Sequence, residues 1–170
     1  GRFSGPQRDI YEVLLRVLKG CTKLTTESQC YSLTELHRRS VEMLTTELKD
    51  LGFGNLGVGT LERTLYPHYI GHWLGIDLHD TPTVERSTAL QEGVVVTIEP
   101  GLYIPFDDRF PKEYQGIGIR VEDDVAVLKE GNVVLSASAP KEVVDVEAAC
   151  QRFLDSPSHK QQLREERMHA

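Results

Sequence analysis

The sequence predicts an α+β fold, in which two helices precede several mostly antiparallel strands. Three observations lead there. Apolar residues recur at helical spacing behind two capping signatures in the first third. After Phe53 that period is lost, and glycines crowd in from Gly52 to Gly118. The remaining apolar runs are short, rich in β-branched residues and separated by prolines.

The first helix is predicted from about Ser4 to Leu18. Ser4 and Gln7 fit a capping box, and Pro6 is tolerated in a first turn. Ile10, Leu14, Val17 and Leu18 form its stripe, and Tyr11, Val13 and Leu15 widen it, as expected for a helix packed on more than one side. A polar loop follows from Thr22 to Cys30. The second helix runs from about Leu33 to Leu51 behind a Ser32/Glu35 box, with Gly52 as its stop. His37, beside Arg38 and Arg39, reads as a solvated helix position and not a ligand. Strands are predicted at Val94–Ile98, Ile117–Leu128 and Val133–Leu135. A last helix is expected over Lys141–Leu154 with Val144, Ala148 and Phe153 facing inward. A polar, charged tail follows Asp155.

Composition bounds the function. A chain of 170 residues suits one domain with a sizeable core. A net charge of -7 argues against nucleic acid, which needs a basic surface. No apolar run has membrane-spanning length, so no membrane partner is expected. Cys21, Cys30 and Cys150 are scattered and odd in number, which suits a reducing compartment and core or surface thiols. The chain starts at Gly1 and not Met, so the natural N-terminus, with any targeting segment, is expected to be missing.

The chemistry concentrates in three segments. PHYIGHWLGIDLHD, from Pro67 to Asp80, holds His68, His72 and His79, half of the chain's six histidines. Gly71 and Gly75 between them let backbone approach closely. Glu99 ends the run VVVTIEPG beside Pro100 and Gly101. It reads either as an ordinary exposed edge residue or as a carboxylate aimed into a cleft. In GIGIRVEDD, Arg120 and Glu122 share one strand face about 7 Å apart. They read either as an ion pair along the pleat or as a metal ligand with an orienting cation. Three histidines with carboxylates form a donor set suited to Mn, Fe, Co or Zn. No HExxH, GxSxG or phosphate-binding glycine pattern is present, which argues against thermolysin-like, covalent-hydrolase and nucleotide-binding readings.

In that order and spacing, PHYIGHWLGIDLHD, TIEPGLYIP and GIGIRVEDDV resemble the C-terminal catalytic region of aminopeptidase P. This is the Xaa-Pro aminopeptidase branch of the pita-bread metallopeptidases, which also include prolidase and methionine aminopeptidase. The resemblance covers roughly residues 1 to 150, and GRFSGPQRDIYEVLL resembles the helix after the family's first ligand strand. It implies a pita-bread fold truncated on its N-terminal side, with helices packed on a curved, mostly antiparallel sheet. Residues 1–150 would be an incomplete catalytic domain, and 151–170 a helix end and polar tail.

The resemblance also implies roles. His72, Glu99 and Glu122 match metal ligands, Glu99 doubling as general base and Glu122 bridging two ions. His68 and His79 match the non-ligand histidines that bind substrate and stabilise negative charge. Arg120 and Tyr103 match supporting or substrate-facing positions. The implied cofactors are two divalent ions, usually manganese. The implied reaction is metal-assisted hydrolysis of peptides with proline in second position, in cytosol or mitochondria. One departure stands out. The family site uses two further aspartates spaced eleven residues apart, and the ten aspartates here contain no such pair. The expectations are therefore a portion of an Xaa-Pro aminopeptidase, a non-catalytic pita-bread binding module, or a prolidase-type dipeptidase. An exposed sheet edge is expected as well, and with it pairing of copies.

Overall fold

The computed structural model describes residues 1–54 and 56–155. Helix α1 spans Gly5–Leu24 and α2 spans Leu33–Asp50. Both open with the predicted capping boxes: Ser4 and Ser32 accept from the amides of Gln7 and Glu35, whose side chains reach back. The first helix runs six residues beyond its predicted end, because Cys21 and Thr22 continue its buried stripe. Ile10, Leu14, Leu18, Leu33, Leu36, Leu44 and Leu48 are fully buried where the two helices and the sheet meet.

A helical turn, α3 (Val58–Thr60), continues into the π-type turn Leu61–Leu65 and delivers the chain to the histidine segment. The strands are β1 (Val95–Ile98), β2 (Gly101–Tyr103), β3 (Gly118–Arg120), β4 (Asp123–Val127) and β5 (Asn132–Val134). Their pairs are antiparallel, in the orders β1-β4-β5 and β2-β3. The predicted single strand over 117–128 is divided into β3 and β4, yet burial alternates without a phase break from Ile119 through Val121, Asp123 and Val125 to Val127. It is one bent strand in two hydrogen-bonded pieces. Helix α1 packs across β1, β2, β3 and β4 and covers the core face.

Residues 70–74 add an extended segment beside β1. Thr97 N–H donates to His72 O, Glu99 N–H to Ile70 O, and Leu74 N–H to Val95 O. Among the described residues, β3 and β5 each have one strand neighbour, so both present a free edge.

Helix α4 (Val143–Asp155) closes the described chain; residues 156–170, where the polar tail was expected, lie outside it. Its predicted inward face is wrong. Val144 is 71% exposed and Phe153 62%, and Ala148 is exposed too, whereas Val143 is buried and Val146 packs on the core. With apolar residues at 143, 144, 146, 148 and 149 the helix has two comparable stripes. Lys141 just before α4 has its Nζ 2.8 Å from the buried Asp123 carboxylate, and Glu147 within the helix accepts from Phe3 N–H at 3.1 Å and Arg8 Nη2 at 3.0 Å. The reading of His37 as solvated is also corrected. Its side chain is only 13% exposed, sits between the rings of Tyr66 and Tyr69, and lies 3.6 Å from Glu62.

Candidate metal centre

The sheet register places the carboxylates. Ile98 pairs with Asp123 and Gly101 with Arg120, so the same register carried across the gap sets Glu99 opposite Glu122. Glu99 lies just past the end of β1 at Ile98, as expected, and pairing resumes at Gly101 after Pro100 in the same register. Val121 N–H donating to the Pro100 carbonyl helps bridge the gap. By alternation, Thr97, Glu99, Gly101, Tyr103, Arg120 and Glu122 share the face away from the core.

His72 reaches this face from the 70–74 segment. Its Nε2 lies 3.4 Å from Glu99 Oε1. One ligand atom each from His72, Glu99 and Glu122 lies within 4.8 Å of the others, a spacing one cation can span. Gly71 permits the approach: a Cβ there would fall 1.8 Å from the Thr97 carbonyl oxygen. His72 Nδ1 is 3.0 Å from the Trp73 carbonyl, which can only accept, so the Nδ1–H tautomer leaves an Nε2 lone pair facing the carboxylates.

The two carboxylates differ in support. Glu99 is buried and held at both oxygens: Thr97 Oγ1 donates to Oε1 at 3.1 Å and Arg120 Nη1 to Oε2 at 3.0 Å. Glu122 is exposed as a side chain and has no hydrogen-bond partner among the described residues. Partial burial of its carboxyl, and then the negative charge of Glu99, push its pKa above the ordinary carboxylate value. Two like charges set opposite each other across a ladder are unfavourable. A divalent cation between them removes that penalty. The donor set therefore fits a divalent ion: one imidazole, oriented through Nδ1 by the Trp73 carbonyl, and two carboxylates.

The remaining sequence-predicted residues gather around the same cleft. Arg120 Nε donates to Tyr103 Oη at 2.8 Å, and Tyr103 Oη lies 3.3 Å from His68 Nε2. His68 Nδ1 donates to the Tyr69 carbonyl at 2.8 Å, so Nε2 of the neutral ring is an acceptor. Burial, and secondarily the Arg120 charge, lower the His68 pKa against the opposing pull of the Tyr69 carbonyl and Glu99. Gly101 leaves room for this pair, since a Cβ there would meet His68 Nε2 at 2.8 Å and Tyr103 Oη at 3.0 Å. His79 lies edge-on to His72, with ring centroids 4.5 Å apart. The cleft, of about 550 Å³, is lined by His68, His72, His79, Glu99 and Arg120, with Trp73 and Arg86 further out. Two contributors escaped sequence reading. The Trp73 carbonyl carries no side-chain signal, and the partners of Thr97 are brought to it only by the fold.

Residues 1–129 match the sequence profile of metallopeptidase family M24. The chain is 43% identical over 163 residues to intermediate cleaving peptidase 55 of Saccharomyces cerevisiae, covering 96% of this chain and 32% of that protein. A crystal structure of that yeast protein bound to the inhibitor apstatin superposes with a TM-score of 0.80 at 45% identity, over 88% of this chain and 37% of that one. Xaa-Pro aminopeptidase 3 of Mus musculus is 42% identical over 156 residues, 89% of this chain and 30% of that protein. Aminopeptidase P of E. coli, solved with the inhibitor Pro-Leu, superposes with a TM-score of 0.77 at 37% identity, over 86% and 35% of the two chains. The architecture is thus that of the pita-bread aminopeptidases. The chain spans about a third of the length of these relatives.

Proposed function

This chain belongs to metallopeptidase family M24, and from that premise we propose that it carries the His72, Glu99 and Glu122 ligands of a dinuclear divalent-metal site, manganese by preference, in an Xaa-Pro aminopeptidase. The observation that carries the reading is the pairing of Glu99 with Glu122 across the ladder, with His72 Nε2 beside them. Three donors are few for two dications. The reading places two further carboxylates, the aspartates this sequence lacks at the family's spacing, on the remaining coordination positions.

When bound, the divalent ions polarise the scissile carbonyl and make water a better nucleophile near neutral pH. The chain's own residues do the rest. Glu99, fixed by Thr97 and Arg120, keeps a lone pair free to take the proton of the attacking water. Neutral His68 accepts at Nε2 from a substrate N–H. Arg120 and His79 face the position where negative charge grows on the carbonyl oxygen. Substrates are peptides with proline in second position.

The test follows release of the N-terminal residue from an Xaa-Pro tripeptide with added manganese. The reading expects slow release, confined to the Xaa-Pro bond and lost in His72→Ala. Turnover at the level of a complete family enzyme contradicts the incomplete ligand set. Preference for Xaa-Pro dipeptides moves the assignment to a prolidase type. Saturable peptide binding with no cleavage moves it to a binding module.

A further inference from the structure

We propose that Thr97 is a positioning residue, whose hydroxyl locks Glu99 to the main chain of His72 and so holds the two donors at metal-binding separation before any ion arrives. This rests on the metal-centre reading above and adds to it a residue outside the donor set.

Thr97 is 1% exposed, in the middle of β1, a strand with neighbours on both sides. At such a position valine fills the same volume without a polar atom. A buried hydroxyl is unfavourable unless it is hydrogen-bonded. This one is bonded twice, and both partners belong to the site. It accepts from His72 N–H at 3.1 Å and donates to Glu99 Oε1 at 3.1 Å. Its opposite number on β4 is Asp124, and among the described residues the hydroxyl makes no hydrogen bond to it. The hydroxyl's reason for being there is therefore the link between the two donors.

The backbone shows how the link works. Thr97 N–H donates to His72 O at 3.0 Å, one half of a regular antiparallel exchange. In the other half His72 N–H would donate to the Thr97 carbonyl. Here it donates to the Thr97 hydroxyl instead. The carbonyl is left pressed against Gly71, where any Cβ would collide at 1.8 Å. One side chain thus stands in for a ladder acceptor and at the same time grips Glu99 Oε1, the oxygen 3.4 Å from His72 Nε2. Arg120 holds the other oxygen, so the carboxylate cannot rotate away from the imidazole.

The experiment titrates manganese alone into the chain by calorimetry, well below its melting temperature, for the unaltered protein, Thr97→Val and Thr97→Ser. Thr25→Val is the control. Thr25 is equally buried and spends its hydroxyl on Cys21 O, away from the cleft. Outer-shell partners of metal ligands are worth about 10–100-fold in affinity. Thr97→Val is expected to weaken manganese binding by about that factor, and Thr97→Ser to restore it. Thr25→Val should lower the melting temperature and leave affinity unchanged. Equal affinity of Thr97→Val and the unaltered chain overturns the positioning role alone. Equal weakening in Thr97→Val and Thr25→Val shows a general stability effect and overturns it as well. Failure of the unaltered chain to bind manganese overturns the metal-centre reading and this inference with it.

Discussion

The α1–α2 pair and the outer face of the sheet are built on opposite principles. The buried faces of the helices are mostly apolar, with Thr22 and Ser40 as exceptions, and the two capping boxes satisfy the helix starts. The outer face of β1 to β4 sets glutamate against glutamate, with an arginine and three histidines around them. The first region lowers the energy of the folded chain by itself. The second sets two carboxylates close together, one of them paired with Arg120, and leaves Glu122 for a divalent cation to neutralise. The difference teaches where function sits: the helices and the core face of the sheet supply stability, and the outer face stores its electrostatic strain against that reserve.

The sharpest way to break this contrast is on the core side of the sheet. Asp123 neighbours Glu122 but points to the core, and it is neutralised by Lys141 and Ser136. Lys141→Ala should cost about 3–5 kcal/mol in urea unfolding, because it leaves a buried carboxylate unpaired. Leu14→Ala, in the fully buried stripe of α1, should cost about 2–5 kcal/mol by the same measurement. Metal affinity below the melting temperature should be unchanged in both. Ser32→Ala removes the α2 cap and should cost about 1 kcal/mol, read as a small drop in melting temperature.

The smallest stability effect is expected at the site itself. The folded pKa of Glu122 lies above its unfolded value. The folded state therefore binds this proton more tightly, and the penalty is absent below the ordinary glutamate value. It grows as pH rises toward the raised folded value and is complete above it. The metal-free chain should lose stability across that window, and Glu122→Gln should flatten the slope. Solvent screens this exposed side chain, so the gain from Glu122→Gln at neutral pH should be at the low end of about 0.2–1 kcal/mol. Thermal melts across the acid range check both points.

The same contrast governs what the sequence revealed. The starts of α1 and α2 were legible almost to the residue, because capping is local, whereas α1 ends six residues beyond its expected stop. The grouping of His72, Glu99 and Glu122 follows from the family resemblance, since each carboxylate taken alone also reads as an ordinary strand residue. Three features were not legible, each for a tertiary reason. Residues 70–74 lie along β1 through backbone bonds that leave no side-chain pattern. β1 ends at Ile98 as Pro100 and Gly101 suggest, but the resumption of pairing at Gly101 in unchanged register, which sets Glu99 level with Glu122, is a tertiary feature. The two faces of α4 are similar stripes, and the contacts that accompany the observed one, Lys141 with Asp123 and Glu147 with Phe3 N–H and Arg8, are distant in sequence.

The central claim is that His72, Glu99 and Glu122 together hold a divalent cation. Its most direct measurement is a manganese titration of the unaltered chain beside Glu122→Gln, followed by calorimetry at neutral pH. The account predicts saturable binding by the unaltered chain and its loss in Glu122→Gln, with the melting temperature of the metal-free variant equal or slightly higher. Unchanged affinity in Glu122→Gln would contradict it.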